Sequence, residues 1–317
     1  MKRFGFVLAN DFTHSAFALF VDTLRLAGDE GDRSRRIAYD WQVLGDAGLP
    51  IRSSCGVEVL PTASISDRHA FDRLVVVGGL LDRGRQLSAR MSEYLRHSAG
   101  DGVLLVGLCT GSFALAELGL LDGYRCAVSW FHIHAFRERF PHIDCSAETL
   151  FVTDRDRATC SGGVGAADLA ADFVAADLGR QPAEKASRVL LLDHIRSGCD
   201  LQPAEPYGSA RNAVVRRALL LMDSNVRVSL GIAELSQRLG VSPRQLQRLF
   251  AADIGVSPLR AYLELRLRRA ESLSRTAGRD IRDVAADTGF EHAGQLRRTF
   301  RRLRGHGFAS SGQNGIA

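Results

Sequence analysis

Ile232-Ala233-Glu234-Leu235-Ser236-Gln237-Arg238-Leu239-Gly240 runs directly into Val241-Ser242-Pro243-Arg244-Gln245-Leu246-Gln247-Arg248-Leu249-Phe250. The stretch reads as a short amphipathic helix, a glycine turn and a second helix studded with arginine. Ile232, Leu235 and Leu239 fall at helical spacing and form one apolar stripe. Gly240 supplies the positive φ that stops the first helix in a tight turn. Ser242 is placed to cap the second helix, with Pro243 at its first position, where a missing N–H costs nothing. Leu246, Leu249 and Phe250 then face a core, which leaves Arg244, Gln245, Gln247 and Arg248 outward. This is the shape of a helix-turn-helix, whose second helix enters the DNA major groove. Arginine can hold guanine bidentately and glutamine can hold adenine.

The pattern recurs. Ile281-Arg282-Asp283-Val284-Ala285-Ala286-Asp287-Thr288-Gly289 precedes Phe290-Glu291-His292-Ala293-Gly294-Gln295-Leu296-Arg297-Arg298-Thr299-Phe300. Leu296 and Phe300 face inward, while Arg297, Arg298, Arg301 and Arg302 point elsewhere. A long helix over roughly Pro258 to Thr276 joins the copies. Charge follows the same division. Residues 210 to 317 hold 19 arginines, no lysine and 9 acidic residues, whereas residues 1 to 209 are net acidic in a chain of net charge +5. Such asymmetry is expected when only the back half meets phosphate, so double-stranded DNA is the expected partner.

Residues 212–304 resemble the DNA-binding domain of the AraC/XylS family of transcription regulators. The resemblance implies a helical fold with two helix-turn-helix units bridged by a long helix, and contact with RNA polymerase. It places base-reading positions on Arg244, Gln247 and Arg248 in the first unit, and on Ala293, Gly294, Arg297 and Arg298 in the second. Ser242, Gln245, His292 and Arg301 complete the expected DNA-facing set. Ala293 and Gly294 offer little side chain, so the second unit is expected to make mainly phosphate contacts. The chain departs from the family after this point. Residues 305–317 are a small-residue, glycine-rich tail with no helical periodicity. The tail is expected to lack order, and the family's last helix to be lost, leaving the second unit less stable.

The front half has another grammar. Phe4–Ala9, Trp41–Leu44, Leu74–Val77 and Val103–Val106 read as buried strands. Helical stretches at Ser15–Ala27, Gln86–His97, Phe113–Leu118 and Ala167–Leu178 alternate with them. That alternation implies an α/β fold, a flavodoxin-like, mostly parallel open sheet with helices on both faces. A helix near Ala183–Arg196 and a Pro/Gly-bearing linker, Leu201–Ser209, separate the halves. The expected domains are therefore 1–182, a connecting 183–211, 212–304, and the 305–317 tail.

Gly107-Leu108-Cys109-Thr110-Gly111 lies between a strand and a helix, the geometry of a nucleophile elbow. With Gly78-Gly79, Gly119–Gly123 and the turn Cys160–Asp168, it resembles the PfpI-like branch of the class I glutamine amidotransferase superfamily. PfpI-like and AraC-type domains in this order are the arrangement of GlxA-type regulators. In these the front domain senses a metabolite, which implies a homodimer and a small-molecule effector. Enzymes of the superfamily activate the cysteine with a histidine. Here Thr110 occupies the adjacent position and His132 is the nearest alternative, so Cys109 is read as lining a ligand pocket. The rival reading is a cysteine-dependent amidohydrolase with a DNA-binding tail.

Position at strand ends nominates Asp11, Leu80, Asp82, Cys109, Thr110, Trp130, Phe131 and His132 as effector-binding. Regulators of this type respond to arginine, carnitine or glycine betaine. Accordingly, Trp130 and Phe131 are candidates to face an amine or quaternary ammonium, with Asp11 or Asp82 as countercharge. The six cysteines form no Cys-x-x-Cys and no zinc-site spacing appears, so neither a metal nor a cofactor is expected. The sequence shows no secretory leader and no apolar run of membrane-spanning length. The chain is expected to be cytoplasmic, with reduced thiols.

Overall fold

Strand β1 (Lys2–Leu8) sends alternate side chains into two separate cores. Phe4, Phe6 and Leu8 enter one, while Val7 and the following Ala9 enter the other, as a period of two requires. The structure, a computed structural model, describes residues 1–31, 33–46, 48–65, 71–202, 210–274 and 279–308. Two units separate between Gln202 and Pro203.

In the front unit β1 is followed by α1 (His14–Gly28), β2 (Tyr39–Gly45), the short strands β3 (Ile51–Arg52), β4 (Glu58–Val59) and β5 (Ala63–Ser64), and β6 (Arg73–Val77). Then come α2 (Ala89–Gly100), β7 (Leu104–Leu108), α3 (Gly111–Glu117), β8 (Arg125–Ala127), α4 (Ile133–Arg139) and β9 (Asp144–Ser146). The unit ends with β10 (Phe151–Asp154), β11 (Arg157–Cys160), α5 (Gly165–Leu178) and α6 (Arg180–Val189). Seven strands form one sheet in the order β10-β11-β7-β6-β1-β2-β5. All neighbours are parallel except β10 and β11. Helices α1, α5 and α6 pack together, and residues of all three line the first core, with residues of α2, α3 and α4 in the second. The flavodoxin-like sheet with helices on both faces is thus as the alternation implied.

One element differs from its sequence reading. The helix expected over Ala183–Arg196 instead spans Arg180–Val189. Leu190–Leu192 look like a continuing apolar stripe, but Leu191 takes a left-handed φ of 56°. The Leu192 N–H reaches back to the Ser187 carbonyl at 2.9 Å, the six-to-one bond of a Schellman stop. Beyond it, the buried Asp168 carboxylate accepts from the Arg196 backbone N–H (2.9 Å) and from its guanidinium (3.0 and 2.6 Å). Those bonds tie residue 196 to α5 rather than to a longer α6. The front unit also continues past residue 182, since α6 packs on α1 and α5 and Leu201 bridges to Thr149. Residues 203–209, the rest of the expected linker, lie outside the described residues.

The back unit comprises α7 (Ala213–Ser224), α8 (Ile232–Arg238), α9 (Pro243–Ile254), α10 (Pro258–Ser274), α11 (Ile281–Asp287) and α12 (Ala293–Arg304). Helix α10 is the shared element. It packs against α7 and α9 and, further along, against α11. Tyr262 accepts from the Leu230 N–H (3.1 Å) and donates to the Asn225 carbonyl (2.8 Å), fixing the approach to α8. One turn on, Arg266 donates to the carbonyls of Thr288 (2.8 Å) and Gly289 and stacks on Phe290 at 4.1 Å. Adjacent positions of one helix therefore hold both units.

Candidate nucleic-acid interface and sensor site

The first helix-turn-helix forms as its residue types require. Gly240 has φ 68°, and the Ser242 hydroxyl accepts from the Gln245 N–H at 3.2 Å with Pro243 opening α9. Leu246 and Phe250 are buried, Leu249 is half-buried, and Arg244, Gln245, Gln247 and Arg248 are exposed. Ser242 thus serves as a helix cap as well as sitting at the DNA-facing end.

The second unit follows the same logic with a different cap. His292 Nδ1 accepts from the Gln295 N–H at 3.1 Å, and Gln295 Oε1 accepts from the Glu291 N–H at 2.9 Å. This reciprocal cap gives His292 a structural role that its neighbourhood alone did not reveal. A Cβ on Gly294 would lie 3.0 Å from the His292 ring. Ala293 and Gly294 are partly covered, whereas Arg297, Arg298, Arg301 and Arg302 are exposed and surround a hollow of about 320 Å³.

Pairing separates these arginines from the rest of the unit. Arg238, Arg260, Arg279, Arg282 and Arg304 each hold a carboxylate. Among the described residues no ion pair engages Arg244, Arg248, Arg297, Arg298, Arg301 or Arg302. Unneutralised guanidiniums on two recognition helices are what counter-ion release on a polyphosphate surface needs.

Helix α12 ends at Gly305 with φ 79°. Phe308 packs edge-on against Phe300, with ring centroids 4.9 Å apart, and His306 stacks near the same ring. Residues 305–308 therefore close the second core instead of drifting from it. The remainder of the expected disordered tail, 309–317, lies outside the described residues.

In the front unit, Cys109 sits between β7 and α3 with φ 56°, the strained turn its motif requires. Its packing is close on every side. A Cβ on Gly78 would lie 2.1 Å from the Gly111 nitrogen, and one on Gly162 would lie 2.8 Å from Cys109 Cβ. Thr110 Oγ1 donates to the Gly79 carbonyl at 2.6 Å, joining the ends of β6 and β7. The Thr13 hydroxyl donates to Cys109 Sγ at 3.4 Å. The Cys109 N–H is given to the Cys160 carbonyl (3.1 Å) and the Gly79 N–H to Gln86 Oε1 (3.0 Å). Thr13, Gln86 and Gly162 were not singled out from the sequence. Gly162 lay in the quoted glycine turn, whereas nothing in the spacing marked Gln86.

The other nominated residues divide. Asp11, with φ 53°, lies against Gly79 and lines a cleft of about 620 Å³ beside Arg52 and Arg85. Asp82 and Leu80 are exposed. Trp130, Phe131 and His132 stack edge-on in sequence, and His132 also meets Phe113. Burial holds the His132 imidazole below its ordinary pKa. Phe131 is 68% exposed and Trp130 packs against the second core, so the two rings do not form a shared cage. The Trp130 segment is instead fixed by Gln202. Gln202 Oε1 accepts from the Trp130 N–H (2.9 Å), and its Nε2 donates to the carbonyls of Val128 (2.9 Å) and Thr149 (2.7 Å). All six cysteines are free, and burial pushes the Cys160 thiol up to about 12. Among the described residues no helix is long and apolar enough to cross a membrane.

Comparison with known proteins matches both halves. The model of the DJ-1/PfpI family covers residues 5–176, and that of a helix-turn-helix domain covers residues 235–308. The chain is 33% identical over 306 residues to the HTH-type transcriptional regulator GbdR of Pseudomonas aeruginosa, spanning 96% of this chain and 82% of GbdR. It is 29% identical over 306 residues to the HTH-type transcriptional regulator GlxA of Rhizobium meliloti, spanning 96% of this chain and 93% of GlxA. The crystal structure of an AraC family transcriptional regulator from Pseudomonas putida superposes with a TM-score of 0.52 at 28% identity. It covers 60% of this chain and 100% of that one.

Proposed function

This chain belongs to the DJ-1/PfpI family through its front half and to the AraC-type transcription regulators through its back half, and we propose that its front unit is a metabolite sensor governing DNA engagement. The chain is a DNA-binding transcription regulator. In the proposed mechanism, α9 and α12 enter successive major grooves on one face of the duplex. Arg244, Gln245, Gln247 and Arg248 read base edges. Arg297, Arg298, Arg301 and Arg302 supply mainly phosphate contacts, because Ala293 and Gly294 leave that helix few side chains that reach bases.

The observation that carries this reading is the unpaired state of the recognition-helix arginines, set against the ion-paired arginines elsewhere in the same unit. The finer parts extend it. The effector is a small nitrogen-containing metabolite bound at the C-terminal strand edge of the front unit. The regulator works in the cytoplasm as a homodimer and activates transcription by contacting RNA polymerase.

The elbow binds or packs rather than catalyses. An acyl-transfer site needs backbone donors aimed at a developing oxyanion, yet the N–H groups of Cys109 and Gly79 are spent on internal acceptors. The polar neighbour of Sγ is a threonine hydroxyl, which is no general base at neutral pH, while the rings that contact His132 are Phe113 and Phe131. Binding of the full chain to its own upstream DNA over a salt series, with and without added metabolites, tests the whole reading. Ligand-insensitive binding would remove the sensor part and leave the regulator part standing.

A further inference from the structure

We propose that the cleft at the C-terminal ends of β1 and β2 is the effector site and that its ligand is an α-amino-acid-type zwitterion. Such a ligand carries a carboxylate beside an ammonium that retains N–H groups. The assignment rests on the sensor reading of the front unit.

The cleft holds about 620 Å³, within the range of small-molecule sites. Strand β1 pairs with β2 on one side and β6 on the other. It is therefore the point where successive connections diverge, and open α/β sheets bind ligands at the strand ends there. Four charged side chains line the cleft, Asp11, Asp46, Arg52 and Arg85, over a floor that includes Leu8 and Leu87. Asp46 is already engaged by Arg90 at 3.3 Å. The side chains of Asp11, Arg52 and Arg85 hold no ion pair or hydrogen bond among the described residues. One carboxylate and two guanidiniums thus face a common space unneutralised.

That set has a definite complement. Two guanidiniums suit one carboxylate, since arginine offers its donors in a planar fork. The remaining Asp11 carboxylate is an acceptor and needs a cation with hydrogens to give. The cleft lining has no aromatic side chain, so a trimethylammonium group would find neither the ring faces that bind it nor a partner for hydrogen bonding. The ligand is therefore a primary or secondary amine. Asp11 also holds a left-handed φ of 53°. Strain of this kind persists where the surroundings impose it, and it collects at ligand sites. Gly79 imposes it here, since a Cβ on that glycine would lie 2.9 Å from the Asp11 carbonyl oxygen and 2.0 Å from that of Asn10.

The test is calorimetric titration of the full chain with each of the twenty L-α-amino acids, and with glycine betaine as the quaternary control. At least one amino acid should bind and glycine betaine should not. Arg52→Met, Arg85→Met and Asp11→Asn should each weaken that binding by about tenfold to a hundredfold, the loss of a charge-assisted hydrogen bond. The melting temperature without ligand should stay unchanged, because none of the three side chains has a partner to lose. Asparagine tolerates the left-handed backbone, so Asp11→Asn tests the charge and not the turn. Amino-acid binding indifferent to all three substitutions, stronger binding of glycine betaine, or binding of no amino acid each overturns the assignment. The sensor reading is judged separately. It survives if a metabolite extract still shifts DNA affinity, and it falls with the site if no extract does.

Discussion

Nη1 of Arg304, in the last turn of α12, lies 2.6 Å from Oε2 of Glu264 on α10. The Nε of the same guanidinium lies 3.1 Å from Glu271 Oε1, one turn and a half further along α10. The second recognition helix is therefore clamped at its C-terminal end by the helix that also organises the first unit. The clamp acts where the sequence led one to expect a weakened unit, and Phe308 adds an apolar stop on Phe300.

Breaking the clamp should loosen the second unit specifically. Glu264→Gln or Arg304→Gln is expected to cost about 1–2 kcal/mol, since the pair is largely shielded and charge-assisted. Urea unfolding of the two single variants and the double variant measures the coupling. Strictly additive losses would mean that the contact contributes nothing.

Gln202 separates a folded residue from a linker residue. It was read as part of the linker, yet it is 2% exposed and bonded to three backbone groups around Trp130. Gln202→Leu strands those groups and should destabilise the front unit by about 2–4 kcal/mol. Thermal unfolding of the variant decides it, and a melting temperature like that of the parent would return Gln202 to the linker.

The front unit should weaken as the solution is acidified through neutrality. Burial depresses the folded-state pKa of His132, so the unfolded chain takes up a proton first as pH falls below about 6.5. Stability from this group is present above that pH and is lost toward the lower folded-state pKa. His132→Phe should flatten the dependence between pH 7 and pH 5, as followed by chemical unfolding at each pH. An equally steep profile in the variant would show that another group titrates.

Much of this was legible beforehand because it rests on local rules. Gly240 and Gly289 announced left-handed turns, Ser242-Pro243 announced a helix start, and period-two runs such as Phe4–Leu8 announced the sheet. What escaped depended on partners distant in sequence. His292 looked DNA-facing, yet its ring caps α12 through Gln295. The α6 stop came from Leu191's backbone and the Asp168–Arg196 contact, neither of which leaves a periodic trace. The effector cleft was half-seen, since Asp11 was nominated from its place after β1. Arg52 and Arg85 reach the cleft from short connecting segments whose course only tertiary packing sets. The proposed Trp130–Phe131 cation site is not favoured by the geometry, because one ring is packed in the core and the other lies open.

Cys109→Ala should leave sequence-specific DNA binding intact and its response to effector intact or modestly shifted. Neither Thr13, the polar neighbour of Sγ, nor the neighbouring N–H groups form a catalytic set. Electrophoretic mobility shifts with and without ligand report the outcome. An amidase activity in the parent that vanishes in the variant would reverse the assignment of the elbow.

The central claim is that two helices of one unit read DNA through unpaired arginines, one for bases and one for phosphates. Affinity of the full chain for its upstream DNA, compared with a scrambled duplex across a salt series, tests it most directly when Arg248→Ala and Arg301→Ala are run alongside. Arg248→Ala should cost about 1–3 kcal/mol on the specific site and much less on the scrambled one. Arg301→Ala should weaken both alike and reduce the salt slope by about one. Equal losses on both duplexes for Arg248→Ala, with a salt slope unchanged by Arg301→Ala, would contradict the account.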